Sequence, residues 1–253
     1  MKRLIILILS VFLMCSCAGN IEKAETETSS VSEAVIEALI AAEAEDCKEL
    51  NEKWDENHSI NPDFVGQIKV GELFEYPFVQ GENNDTYLRK DWATMNYDEE
   101  GSIFMDERND IDDQNIIIYG HYVYASLDPD GTHKFTPLRL LKDEKNYEAN
   151  RYLTLQLKDE LRTYETALVL YVDTYMDENG IRYAVPELEY DHTGFEDDYF
   201  EEYIRNAKAK AFYDTGVEIG NDDRLLTLQT CVEGNKDLRE IVIAKLVKKE
   251  QIR

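Results

Sequence analysis

The sequence predicts a mainly β domain, a barrel or a sandwich, and three observations carry that reading. From Phe64 onward the apolar residues come in short runs broken by Gly, Asn, Asp and Pro, a spacing that suits strands. These runs are many and lie in one stretch of chain without a domain linker, so a single closed or stacked sheet is the simplest way to bury them. Only two segments among them keep a helical pattern, and no internal repeat or glycine-rich phosphate loop interrupts the series.

In chain order, strands are expected at Val65–Val70, Phe74–Val79, Ser102–Met105, Asn115–Tyr119, Tyr152–Gln156, Glu165–Thr174, Leu225–Thr230 and Glu240–Val247. Pro137-Leu138-Arg139-Leu140-Leu141 reads as a short helix between strands. Asp197 to Phe212 reads as a longer one, because Tyr199, Phe200, Tyr203, Ile204, Ala207 and Ala211 fall on one stripe, taken as a core-packing face. Ahead of the strands, Ser30 and Glu33 have the spacing of a capping box. Val31, Val35, Leu39, Ala42, Leu50 and Trp54 then recur at helical spacing, so residues 31–56 are expected to form one or two amphipathic helices ended by Asn61-Pro62.

The N-terminus reads differently. Met1-Lys2-Arg3 is a basic head, and Leu4 to Cys17 is an apolar run shorter than the ~20 residues of a spanning helix, which suits a secretory signal. Cys17, between Leu13-Met14-Cys15-Ser16 and Ala18-Gly19-Asn20, resembles a lipobox cysteine and is the candidate lipidation site. A cleaved signal and a short uncleaved anchor are the alternatives, and all three place the rest of the chain outside the cytoplasmic membrane. The expected plan is a signal or lipoprotein/membrane anchor at 1–19, a tether at 20–30 and one domain at 31–253, with N-terminal helices at 31–60 and the barrel at 61–250.

Composition excludes more than it assigns. Lysine plus arginine number 27 against 53 aspartate plus glutamate, a formal charge of −26, so the chain repels nucleic acid and anionic membrane surfaces. The 16 tyrosines argue against disorder for most of its length. Cys15 and Cys17 belong to the targeting segment, which leaves Cys47 and Cys231 for the folded part; a disulfide between them is the minor reading and a free Cys231 the major one. No histidine–cysteine spacing suits zinc and no Asp-rich loop suits calcium, so neither metal nor cofactor is expected. Asp106, Asp110, Asp112 and Asp113 read as a solvated loop, and His58, His133 and His192 as solvated residues of polar stretches.

Three residues stand at the edges of expected strands with chemistry that fits together. Cys231 ends the run Leu225-Leu226-Thr227-Leu228-Gln229-Thr230, Arg239 opens the run Ile241-Val242-Ile243-Ala244, and His121 closes Ile116-Ile117-Ile118-Tyr119-Gly120. A thiol attacks as the thiolate and needs an imidazole or a positive charge nearby. The histidine can act as acid/base, whereas the arginine stays protonated and can hold an oxyanion or the substrate backbone. The short spacing from Cys231 to Arg239 lets them meet across a hairpin; nothing in the spacing brings His121 to them. Taken singly, a cysteine ending an apolar run is more often a small buried hydrophobe.

In order along the chain, further boxes accompany these residues. They are Asn61-Pro62-Asp63-Phe64-Val65-Gly66 with Ile68-Lys69-Val70, and Tyr76-Pro77-Phe78-Val79-Gln80-Gly81 with Asn84 and Tyr87-Leu88. Gly101-Ser102-Ile103-Phe104-Met105-Asp106-Glu107-Arg108-Asn109, Tyr119-Gly120-His121, Phe135-Thr136-Pro137-Leu138 and Thr227-Leu228-Gln229-Thr230-Cys231 follow. The ordered set, over roughly residues 61–247, resembles a class B sortase.

The resemblance implies an eight-stranded sortase β-barrel with N-terminal helices and a long helix before the nucleophile strand. It implies a cysteine transpeptidase of a Gram-positive-type surface that cuts a C-terminal sorting signal after Thr and holds it as a thioester. An Asn-Pro-x-Thr-like signal on secreted proteins would be the substrate, and an amine of a cell-wall precursor or a pilin the acceptor. Cys231 then matches the nucleophile, His121 the acid/base and Arg239 the oxyanion or substrate-positioning group, while Asn84, Leu88, Gln229 and Thr230 match substrate-binding positions. Tyr122 stands where many sortases have Asn or His, Gln229 where Ser is common, and a lipobox is unusual where a transmembrane helix is the usual anchor. A sortase-fold cysteine hydrolase and a non-catalytic surface binding lipoprotein are the competing readings.

Overall fold

The computed structural model describes residues 48–178 and 182–252, all within the second of two compact units, Met1–Ala41 and Ala42–Arg253. The expected signal or anchor, the tether, Cys17, Cys47 and the first part of the N-terminal helices lie outside the described residues. No helix among the described residues is long and apolar enough to cross a membrane.

Residues 48–60 form helix α1. It ends where Pro62 supplies no backbone N–H and the Asn61 side chain accepts from the Asp63 amide at 2.9 Å, an Asx turn that competes with the next helical turn. Trp54 fixes the helix to the barrel by donating from Nε1 to the Val65 carbonyl at 2.9 Å and packing on Phe64. Phe64, Val79, Tyr87 and Phe104 form the buried cluster beneath it.

Nine strands follow among the described residues: β1 Phe64–Val70, β2 Phe74–Val79, β3 Ile103–Met105, β4 Asn115–Tyr119, β5 Tyr152–Leu157, β6 Glu160–Met176, β7 Arg182–Ala184, β8 Leu225–Val232 and β9 Asn235–Gln251. Eight of them run in the order β5-β1-β2-β3-β4-β8-β9-β6, and the β5–β6 pairing closes the ring. The expected eight-stranded barrel is therefore present, with β7 added as a short antiparallel partner of the far end of β6. Closure removes the exposed edges that an open sheet of this size would carry.

Strand alternation separates two cores. Ile116, Ile118, Leu226, Leu228, Val242 and Ala244 point into the barrel with Ile68, Phe78, Leu155 and Val169. Their neighbours Leu225, Ile241, Ile243, Leu168, Leu170 and Val172 point outward, beneath helix α2, Asp197–Lys210. Phe200, Tyr203, Ile204 and Ala207 of α2 bury the expected stripe against them. Burying a side chain the size of Phe200 or Ile204 is worth about 1.5–3 kcal/mol before chain entropy is counted. This double cover explains why the middles of β6 and β9 read as continuous apolar runs.

The expected short helix is a 3-10 turn, Thr136–Lys142, that places Leu138 and Leu141 in the barrel core. Strands β6 and β9 are each far longer than the apolar runs announce. Their polar ends are stitched by ion pairs such as Lys249–Glu160 at 2.8 Å, and their ladder carries two register shifts. β7 lacks any apolar run and was not expected. Of the histidines expected in solvated stretches, His133 and His192 are partly solvent-exposed and pair with Glu100 and Glu189, whereas His58 is corrected: it lies on α1, stacked against Trp54.

Candidate active site

Strands β8 and β9 form an antiparallel hairpin whose register sets Cys231 directly opposite Arg239. The short spacing thus does what it promised. His121 arrives by a longer route. β4 pairs parallel to β8 from Asn115↔Leu225 to Tyr119↔Gln229, and the Gly120 amide continues that ladder to the Gln229 carbonyl at 3.1 Å. His121 follows the last bonded residue of β4 as Cys231 follows Gln229 and Thr230 on β8, so the parallel pair brings both to the same end of the sheet. Alternation puts Tyr119, His121, Gln229, Cys231 and Arg239 on one face, outside the barrel, because Ile118, Leu228 and Val242 point inside.

Gly120 is required for this approach. A Cβ there would lie 2.5 Å from the Phe135 ring, which belongs to the barrel core. The Phe135 amide in turn donates to the His121 carbonyl at 3.1 Å, so the residue that excludes a side chain at 120 also fixes the backbone at 121.

The imidazole is oriented from the other side. His121 Nε2 lies 2.8 Å from the Leu88 carbonyl, and since a carbonyl only accepts, Nε2 carries the hydrogen and Nδ1 is left to exchange protons. Burial pulls the His121 pKa below its ordinary value; the Leu88 hydrogen bond opposes this, while the charges of Arg89 and Lys134 add to it. The resting imidazole is therefore biased toward the neutral form. Cys231 is a partly exposed free thiol. The Arg239 guanidinium donates to the Leu238 and Lys236 carbonyls of its own hairpin at 2.8 and 3.1 Å, and among the described residues it has no carboxylate partner. An unpaired cation held at the rung of a free thiol is available to a developing oxyanion.

Further residues frame the face. Asp106, expected in a solvated loop, is fully buried; it accepts from Arg108 Nε at 2.8 Å, from the Tyr119 hydroxyl at 2.7 Å and from Asn84 Nδ2 at 3.2 Å. The correction has a plain cause: a buried carboxylate is tolerated where several donors converge on it. Arg108 continues to Asp191 at 3.3 Å, and the neighbouring Tyr190 donates its hydroxyl to Gln229 Oε1. Burial pushes the Tyr190 pKa upward, so its phenol stays a donor.

Of the four substrate-binding positions implied by the resemblance, three border this face. Gln229 lies on it, Leu88 holds His121 through its carbonyl, and Asn84 is tied to Asp106 and to the Glu107 amide at 2.9 Å. The Thr230 side chain does not border it: Thr230 is 1% exposed and points into the barrel. Asp106 and Tyr190 were missed as site residues. Asp106 sat inside a quoted box, but no pattern around Tyr190 marks it.

No protein-family model matches the chain. Curated sequences do: sortase B of Staphylococcus aureus (strain NCTC 8325 / PS 47) is 30% identical over 195 residues, covering 75% of this chain and 72% of the relative. Sortase B of Listeria monocytogenes serovar 1/2a (strain ATCC BAA-679 / EGD-e) is 29% identical over 257 residues, covering 98% and 97%. Among solved structures, a mutant form of Clostridium perfringens sortase B matches with a TM-score of 0.67 at 28% identity, covering 81% of this chain and 90% of that one. A Staphylococcus aureus sortase B–substrate complex matches with a TM-score of 0.65 at 25% identity, covering 78% and 86%.

These relatives and solved structures, together with the closed β-barrel, identify a cysteine transpeptidase. The chain belongs to the sortase B family.

Proposed function

We propose that this sortase cleaves a C-terminal sorting signal after Thr, holds the acyl fragment as a thioester on Cys231 and transfers it to a primary amine of a cell-wall precursor or a pilin. The observation that carries the reading is the rung that sets Cys231 opposite Arg239, with the parallel β4–β8 pair carrying His121 to the same end of the sheet. The solved Staphylococcus aureus sortase B–substrate complex supports a substrate that carries a sorting signal.

As the Cys231 sulfur attacks the scissile carbonyl, its proton passes to His121 Nδ1 and a C–S bond forms. Arg239 stabilises the oxyanion of the tetrahedral intermediate. The C–N bond then breaks, and the leaving amine takes the proton back from His121, which returns to the neutral form that burial favours. Gln229, Leu88 and Asn84 line the signal's path. The basic head and apolar run at the N-terminus support export or anchoring of the domain at the extracytoplasmic face, through lipidated Cys17 or an uncleaved segment.

Intact-mass spectrometry of wild type and Cys231→Ala after incubation with Asn-Pro-x-Thr-containing peptides tests the reading. A mass gain equal to the acyl fragment on wild type alone is expected, and addition of an amine should convert it to ligated product. Cleavage by the Cys231→Ala protein would contradict the thioester, and release only to water in the presence of amine would identify a hydrolase.

A further inference from the structure

Beyond Gly120 the β4–β8 ladder stops, and the two chains part on either side of the thiol and the imidazole. One side-chain hydrogen bond spans that opening. The Tyr122 hydroxyl, next after His121, donates to Glu233 Oε2, two residues after Cys231, at 2.8 Å. The bond joins the loop carrying the acid/base to the turn of the hairpin carrying the nucleophile and Arg239.

The charges around it single out Glu233. Asp98 pairs with Lys134 at 4.0 Å, Glu100 with His133 at 3.0 Å and Asp237 with Arg182 at 2.9 Å. Among the described residues Glu233 has no cationic partner; a neutral phenol holds it instead. Burial, then the hydrogen bond to Glu233, pushes the Tyr122 pKa up to about 12, so the phenol remains a donor throughout the neutral range. Glu233 is exposed, and a phenol on one oxygen leaves the other open to a second donor.

We propose that Tyr122 and Glu233 select the acyl acceptor: the Glu233 carboxylate, aimed by the Tyr122 hydroxyl, binds a primary ammonium group at the opening between His121 and Cys231. The proposal rests on the acyl-transfer reading above. After acylation His121 is neutral, having given its proton to the departing amine. The ammonium group held by Glu233 releases one proton to solvent, and as the resulting amine attacks the thioester carbonyl a second proton passes to His121 Nδ1. The C–N bond forms, the C–S bond breaks, and the Cys231 thiolate recovers the proton from His121. The contact is exposed and weak, as suits a second substrate that must arrive and be released in each cycle.

The test uses the full chain, a cleavable sorting peptide and two acceptors: triglycine, whose terminal amine is a cation at neutral pH, and hydroxylamine, which is uncharged there. Glu233→Gln and Tyr122→Phe are each expected to lower the partition of the acyl-enzyme toward triglycine by about 3–5-fold relative to water, the scale of one exposed charge contact. Partition toward hydroxylamine should change by less than about twofold, since no charge is matched. An unchanged triglycine partition, or an equal fall for both amines, would overturn the proposal while leaving the thioester reading intact. Absence of any acyl-enzyme on wild type would instead overturn the acyl-transfer reading, and this proposal with it.

Discussion

Adjacent rungs of the β8–β9 ladder carry Cys231 opposite Arg239 and Thr230 opposite Glu240. The first rung faces outward, where the thiol is partly exposed and the guanidinium binds its own hairpin's carbonyls. The second faces the barrel interior, where Thr230 and Glu240 are each 1% exposed and Thr230 Oγ1 and Glu240 Oε1 have no hydrogen-bond partner among the described residues. Tyr171 of β6 extends the inner rung, and Arg139 and Lys142 of the 3-10 turn act on Glu240 from above. One residue of strand alternation thus divides a rung arranged for chemistry from a rung strained by burial. The difference teaches that the site stands where the barrel's apolar filling ends, so the outer face gains reactive groups and the inner face inherits polar ones.

The largest effect that would break this contrast belongs to the outer rung. Cys231→Ala is expected to abolish turnover while the far-ultraviolet circular dichroism stays at wild type; residual cleavage would place the nucleophile elsewhere. Arg239→Ala should lower kcat by about a hundredfold, the scale of losing one oxyanion donor, with a smaller change in KM for the peptide. A pure KM effect would reduce Arg239 to substrate positioning.

The inner rung is sharpened by pH. Burial raises the Glu240 pKa from its ordinary value to about 7, so its protonated form is preferred in the folded state. The stability this contributes is fully present below the unfolded carboxyl's pKa and is lost as pH rises through about 7. The loss is on the order of 3 kcal/mol for a shift of this size in a buried group. Urea midpoints between acid and mildly alkaline pH should therefore fall in wild type and fall less in Glu240→Gln; equal slopes would mean that Glu240 is not a buried acid. A smaller effect is expected from Gly120→Ala. The Phe135 ring must shift to admit the methyl, at about 1–3 kcal/mol of stability, and thermal unfolding reads it.

Much of this contrast was legible in the sequence, but unequally. The strand centres announced themselves because apolar residues line both faces of β4, β8 and β9. The Cys231–Arg239 pairing followed from a hairpin-sized gap. His121 did not follow from spacing, because a parallel β4–β8 pair joins segments more than a hundred residues apart, and only the quoted boxes linked them. The ends of β6 and β9 were hidden by their charges: Arg162 is 2% exposed yet sits in a polar stretch, paired to Asp112 at 2.8 Å. Glu240 was invisible for a related reason, since Arg239-Glu240 reads as a charged surface pair until alternation turns one outward and the other inward.

Alkylation mapped peptide by peptide on the native protein tests that division most directly. Iodoacetamide should modify Cys231 in folded wild type within minutes. In Thr230→Cys combined with Cys231→Ala, the new thiol should stay protected until urea unfolds the chain. Equal reactivity of the two positions in the folded protein would contradict the assignment of Cys231 to the outer face and Thr230 to the inner one.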